Sequence, residues 1–228
     1  SPSCGYGKIY DGTFTGKLID GNGLTAQLLS EHGIKVYTDE SWREEGEMGC
    51  GYRIDERNDG VLRLRPFKLS DSQYLLSWFA DKKSFTMWSG GKFEYPLTKE
   101  QIEDYYQKYQ EDEHGWIMTA LNEEGRPVGH LLMGMADYNK ESIHFGFIVV
   151  DRNERGKGYG KEMVSLASKY AFEILKVKKI TLGVYDNNPS AHSCYKAVGF
   201  KDEKYHKEIF PYENEKWGKF DMAFTFSS

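Results

Sequence analysis

From about residue 61 onward, the apolar positions of this 228-residue chain fall into two alternating rhythms. Val61, Leu62, Leu64 and Pro66 predict a strand at about 61–66. "SDSQYLLSWFADK" opens with Ser70 or Asp71 as an N-cap and sets Tyr74, Leu75, Trp78 and Phe79 at helical spacing. "LTKEQIEDYYQKYQ" predicts a second helix, capped by Thr98 with Gln101 three residues on. "GWIMTALNEEGRPVGHLLMGMAD" reads as two strands joined at Asn122–Gly125, and "SIHFGFIVV" as another. "GKEMVSLASKYAFEIL" is a helix that gathers Met163, Leu166, Ala167, Tyr170, Ala171 and Leu175 on one side. "KKITLGVY" is a strand, and "SAHSCYKAVGF" is a short helix closed by Gly199. Two strands follow, at about 201–210 and 215–226.

The order β-α-α-β-β-β-α-β-α-β-β predicts an α/β (α+β) protein in which helices cover one sheet. The strand at 143–150, the helix at 160–175 and the strand at 178–184 form a β-α-β unit, so those two strands run parallel. Residues 1–60 differ. "GYGKIYDGTFTGKLIDGNGLT" and "KVYTDESWREEGEMGCGYRI" lie in rough register, and Cys-Gly-Tyr recurs at Cys4–Tyr6 and Cys50–Tyr52. This Gly/Tyr-rich segment is expected to be a small β-hairpin appendage, 1–60, to a main domain, 61–228. It is weakly similar to the MORN repeat; an irregular appendage without repeat ancestry is the alternative. Two hairpins bury little alone, so the segment packs on the main domain or on a second copy, as a homodimer.

Composition narrows the class. Hydrophobic content of 39% and aromatic content of 15% describe a packed globular chain. No apolar run approaches the roughly 20 residues of a membrane helix, so no membrane is expected among the partners. Three cysteines with no C-x-x-C pair argue against a zinc site and fit a reducing, cytoplasmic setting. Residues 1–60 hold six Lys/Arg against eleven Asp/Glu, which accounts for the whole net charge of −5. Neither part has the basic excess of a nucleic-acid binder.

The chemistry centres on "DRNERGKGYGKE" at 151–162, between a strand and a helix. Gly156, Gly158 and Gly160 give G-x-G-x-G, not the G-x-G-x-x-G of a dinucleotide fold. Gly160-Lys161 is followed by Glu162, so the hydroxyl of a Walker loop is missing. What remains is a pyrophosphate cradle of another kind, or a plain strand-to-helix turn. Backbone N–H groups at a helix N-terminus make an anion site. Glycines let the backbone approach a diphosphate, and Arg155 and Lys157 add positive charge.

Arg155, Gly158 and Gly160, preceded by Val149-Val150, match the pattern Arg or Gln, two residues, Gly, one residue, Gly or Ala. A second block, "VYDNNPSAHSCYKAVGF", carries Val184, Asn188, Ala191, Tyr195, Gly199 and Phe200 in step. With both blocks in order over about 61–226, the chain resembles the GNAT superfamily of acyl-CoA N-acyltransferases. The resemblance implies a mixed, mostly antiparallel sheet with a splayed parallel strand pair and helices on both faces. It implies acetyl-CoA as co-substrate and direct transfer of an acetyl group to a primary amine of a small molecule or peptide. A catalytically silent GNAT-fold module that binds CoA or a protein is the alternative, and the intact Tyr195 favours the enzyme.

Roles follow from the resemblance. The backbone of Ile148, Val149 and Val150 pairs with the pantetheine arm. Arg155, Gly156, Lys157, Gly158, Tyr159 and Gly160 bind the pyrophosphate, and Asn188 lines the cofactor side. Tyr195 protonates the departing thiolate, a role that suits a phenol; a core aromatic is the bland alternative. Some members carry a Glu base on the strand before the loop, and His144 stands at that position here. Strict alternation puts His144 on one face with Gly146, Ile148 and Val150. A water relay is the alternative to a His144 base. The loop's usual proline is replaced by Arg152. Cys194 reads as a small packing residue, with no partner suited to a nucleophile.

The spacing is most similar to the branch with ribosomal-protein N-terminal acetyltransferases, spermidine acetyltransferases and some antibiotic-modifying enzymes. Acceptor walls are expected at Trp88 and Tyr95, with Phe93 and Glu94 between them. Glu103 and Asp104, or Glu111–Glu113, either attract a cationic amine or form a solvated helix face.

Overall fold

The computed structural model describes residues 62–226 in full and, before them, only the backbone of Leu18–Ile19, Asn22–Gly23, Ile34–Val36 and Tyr52–Ile54. The repeat expected in residues 1–60 otherwise lies outside the described residues. Within 62–226, seven strands form one sheet: β1 (Arg63–Pro66), β2 (Trp116–Leu121), β3 (Pro127–Asp137), β4 (Ser142–Val150), β5 (Lys179–Tyr185), β6 (Lys201–Tyr212) and β7 (Glu215–Thr225). Their spatial order is β6-β7-β5-β4-β3-β2-β1. The β4–β5 pair is parallel and the other pairs are antiparallel.

Five helices cover the sheet: α1 (Ser72–Ser77), α2 (Lys82–Ser89), α3 (Lys99–Glu111), α4 (Tyr159–Glu173) and α5 (Pro189–Val198). Met163, Val164, Ala167 and Tyr170 of α4 pack with Phe145, Ile180 and Leu182 in one core, which Tyr195 of α5 joins. Leu75, Ile102 and Tyr105 of α1 and α3 pack with Ile117, Leu132 and Val149 in a second core on the other face. A fully buried side chain of this size contributes about 1.5–3 kcal/mol, so each face is held by its own apolar layer.

Local chemistry sets the helix ends. Thr98 Oγ1 accepts the Gln101 N–H at 3.3 Å, as its cap position predicts, but the Gln101 side chain turns away to hold the backbone of Glu94. The helix expected over "SDSQYLLSWFADK" is there but short, Ser72–Ser77, and a further helix that the sequence reading did not expect follows it. Asp81 accepts the Ser84 N–H at 2.7 Å and starts α2, which ends at Gly90 in the left-handed region, φ 57°. Eight residues are too few for the apolar spacing of Phe85 and Trp88 to announce a helix. Asp71 precedes α1 but does not cap it. Its carboxylate instead accepts from Arg65 at 2.7 and 2.8 Å, from the Thr119 hydroxyl at 2.8 Å and from the Lys68 N–H at 3.0 Å. Burial alone would raise this carboxyl, but these donors and the Arg65 charge hold it below its ordinary value.

Candidate active site

The parallel ladder between β4 and β5 runs from Ser142–Lys179 to Phe145–Leu182 and stops there. The cause lies on the opposite edge of β4. Its register with β3 shifts between the Leu132–Gly146 and His130–Val149 pairs, with Phe147 at φ 47°. An extra residue bends a strand and resets its alternation. Ile143 and Phe145, and past the bulge Ile148 and Val150, therefore pack with the α4–α5 core. Phe147 and Val149 pack with the α1–α3 core. The alternation expected from the sequence, with His144 on the face of Ile148 and Val150, fails at this bulge.

Two clefts open from the splay. One, of about 590 Å³, is lined by the Ile148–Val150 stretch of β4, the glycine loop, Asn188 and Tyr195. The other, of about 700 Å³, is lined by Trp88, Phe93, Tyr105 and His144. Both include Phe145–Phe147 of β4 and Gly183–Tyr185 of β5, so they meet where the strands part.

Two buried carboxylates, paired with cations at the surface, shape the loop of the first cleft. Asp151 accepts the Asn153 N–H at 2.9 Å and so starts a short 3-10 turn at Arg152–Glu154. Arg126, from the β2–β3 turn, reaches Asp151 at 2.8 Å and Glu154 at 3.6 Å. Glu154 also holds Lys157, whose ammonium is stabilised by that bond. Gly156 and Gly158 both have φ 84°, and a Cβ on either would meet only open space. Gly158 is the N-cap of α4 and offers no side chain to its first N–H groups. Those donors, with Arg155 and Lys161 on the cleft wall, fit a diphosphate. Gly160 is different: its backbone is helical, and a Cβ there would find Cys194 Sγ at 3.6 Å and Val150 Cγ2 at 3.7 Å.

Tyr195 is 7% exposed and lines the first cleft from α5. Burial, and then the neighbouring Cys194, push its phenol well above the ordinary value. Asn188, also in this cleft, caps α5 by accepting the Ala191 N–H at 3.2 Å. Burial raises the Cys194 thiol against the opposing charge of Lys161, so it is a poor nucleophile at neutral pH. On the other side, His144 Nδ1 lies 2.9 Å from Thr181 Oγ1. Burial and then Lys219 push His144 below its ordinary pKa, with Asp221 opposing.

A family model described as "Acetyltransferase (GNAT) domain" matches residues 61–201. The chain belongs to the GNAT acetyltransferases. As such it is an acetyl-CoA-dependent N-acetyltransferase. It is 25% identical over 150 residues to the spermidine N(1)-acetyltransferase of Vibrio cholerae, which covers 65% of this chain and 84% of that one. The crystal structure of spermidine N-acetyltransferase from Vibrio cholerae in complex with CoA and spermine shares the fold. Its TM-score is 0.64 at 23% identity, over 72% of this chain and 95% of that one. Residues 1–41 match a different family model, 2-thiouracil desulfurase. A stretch of 39 residues is 56% identical to the uncharacterized protein YbbK of Bacillus subtilis, over 17% of this chain and 26% of that protein. This likeness is not to the MORN repeat expected from the glycine spacing.

Within the GNAT domain, Ile148, Val149, Val150, Arg155, Gly156, Gly158, Tyr159, Gly160, Asn188 and Tyr195 share the first cleft. Lys157 is held by Glu154 and is not part of that wall. Lys161, one step beyond the glycine pattern, lines it instead. Trp88 lines both clefts and stacks on Phe93 at 5.2 Å and 14°. Tyr95 is 48% exposed, lies against Phe85 at 5.5 Å and lines neither cleft. Sequence reasoning missed Lys161, Tyr105 and Lys219; only Lys161, adjacent to the motif, left a local signal. No helix among the described residues is long and apolar enough to cross a membrane.

Proposed function

We propose that the acetyl group passes directly from acetyl-CoA, lying along β4 and the 155–160 loop, to a primary amine of a small molecule that enters beside Trp88. The observation that carries this reading is the meeting of the two clefts at the β4–β5 splay, with Tyr195 in one and His144 in the other. Acetyl-CoA supplies an activated thioester. Tyr195, kept protonated by burial, gives its proton to the sulfur as the C–S bond breaks. His144, kept neutral, accepts the amine proton as the C–N bond forms.

The names of the relatives make polyamines the reference class against which other amines are compared. Chemistry is assigned to 61–228. The acidic segment 1–60 is assigned a separate role, joining two copies of the chain in a reducing cytoplasm. Deleting 1–60 and measuring mass in solution tests that role, and an unchanged oligomer ends it. For the enzyme, thermal unfolding with acetyl-CoA at a hundred times its dissociation constant should show stabilisation of about 2.7 kcal/mol. Thiol release with a panel of amines is the companion assay. No shift at saturating acetyl-CoA overturns the reading.

A further inference from the structure

Lys92 follows α2, Lys108 lies on α3 and Lys219 on β7, and all three line the cleft that holds His144. Among the described residues, Asp104 is the one carboxylate in that wall. Of the other acids that the sequence offers to a cationic amine, Glu103 is turned to Lys99 at 3.4 Å and Asp112 accepts the His114 N–H at 2.8 Å. Lys219 is paired with Asp221 at 3.0 Å, and Lys108 lies over the Tyr109 ring at 5.4 Å. Among the described residues, neither Lys92 nor Lys108 has a carboxylate at ion-pair distance. Gln101, also in the wall, spends its amide on the backbone of Glu94 and Pro96.

We infer that the acceptor is a primary amine that also carries an anionic group, a carboxylate or a phosphate, with Lys92 and Lys108 selecting that group. The inference rests on acetyl transfer at this site. A polyamine brings several positive charges to a wall that already has a cationic excess, and like charges at close quarters disfavour the encounter. An amine with a remote anion gains from the same wall. The reacting nitrogen gains as well, because neighbouring cations favour its neutral, nucleophilic form. Burial lowers the basicity of His144 most, and the charge of Lys219 adds to it against Asp221, a smaller instance of the same effect on a resident group.

Matched pairs of amines test this: 5-aminopentanoate against 1,5-diaminopentane, and phosphoethanolamine against ethanolamine, with spermidine beside them. The readout is kcat/KM for thiol release by the full chain. The anionic member of at least one pair is expected to lead by about tenfold or more at low salt, and its lead to shrink as salt screens the wall. Which pair responds separates carboxylate from phosphate. In the exposed double variant Lys92→Glu/Lys108→Glu, that lead should vanish while acetyl-CoA binding is retained. Spermidine or 1,5-diaminopentane turning over faster than the anionic amines overturns the inference and leaves the acetyltransferase standing. So does silence from every anionic amine while acetyl-CoA binds. Failure to bind acetyl-CoA would instead remove the reading on which the inference rests.

Discussion

His144 and Thr181 face each other across the last paired rungs of the parallel strands, with Nδ1 2.9 Å from Oγ1. The Thr181 hydroxyl donates to the Ile143 carbonyl at 3.4 Å, so its oxygen is left to accept the Nδ1 proton. With that proton on Nδ1, the Nε2 lone pair is free, the form the proposed base requires. Replacing His144 by Gln should lower kcat by about a hundredfold. Thr181→Val should lower it by roughly tenfold, with Thr181→Ser restoring most of the loss. Because burial depresses His144 from its ordinary 6.5, the acidic limb of wild-type kcat/KM should fall below that pH and disappear in His144→Gln. An acidic limb that survives His144→Gln assigns the proton to a water relay.

Tyr195 faces the opposite requirement. Its burial keeps the phenol protonated through the neutral range, the form that the proposed proton transfer to the leaving thiolate requires. Tyr195→Phe preserves the ring that packs with Phe200 at 6.2 Å. It should therefore leave folding and the KM for acetyl-CoA nearly unchanged while kcat falls by about a hundredfold. Steady-state kinetics on any acetylated amine checks this, and an unchanged kcat would falsify the acid role.

The β-α-β unit from β4 to β5 was legible because Gly158 ends one rhythm and Met163 begins another. The two blocks around Arg155 and Tyr195 could be read in the same way. The bulge at Phe147 could not: "FGFIVV" is apolar on both sides of it, so a one-residue reset leaves no mark in the alternation. Lys157 and Lys161 look equivalent in the sequence. Only the fold, which brings Glu154 to Lys157, separates them. Tyr95 looked like a wall beside Trp88, but after α2 the chain carries it outward against Phe85.

His130 makes stability depend on pH in a defined window. It is 1% exposed, with Nε2 3.1 Å from the hydroxyl of Tyr105, which lines the cleft that holds His144. Burial lowers its pKa from 6.5 to about 3, against a weaker upward pull from Asp71. The unfolded chain takes up this proton below pH 6.5 and the folded chain does not until about 3. Stability from this group is thus complete above pH 6.5 and declines as pH falls toward 3, by at most about 1.4 kcal/mol per pH unit. Asp71 adds its own loss only below its ordinary 3.8. Urea unfolding at pH 6.5 and 4.5 should show the wild type losing up to roughly 2–3 kcal/mol more than His130→Gln. Equal losses would show that the imidazole is not held neutral.

The glycines of the loop should separate by backbone and not by proximity to the cleft. At Gly158, φ is 84° and no neighbour crowds the Cβ position, so Ala meets strain and no clash. That strain is on the order of 1–2 kcal/mol for an L residue in the left-handed region, and it acts where α4 presents its first N–H groups. Gly158→Ala should therefore raise the KM for acetyl-CoA by about tenfold. Gly160 lies within the helix, and an added methyl would rest at 3.6 Å from Cys194 Sγ and 3.7 Å from Val150 Cγ2, ordinary contact distances. Gly160→Ala should leave that KM within about twofold and gain a few tenths of a kcal/mol in stability from helix propensity. Acetyl-CoA titrations and thermal melts of the two variants distinguish this from a loop in which every glycine admits the diphosphate. In that case Gly160→Ala would weaken binding as much as Gly158→Ala does.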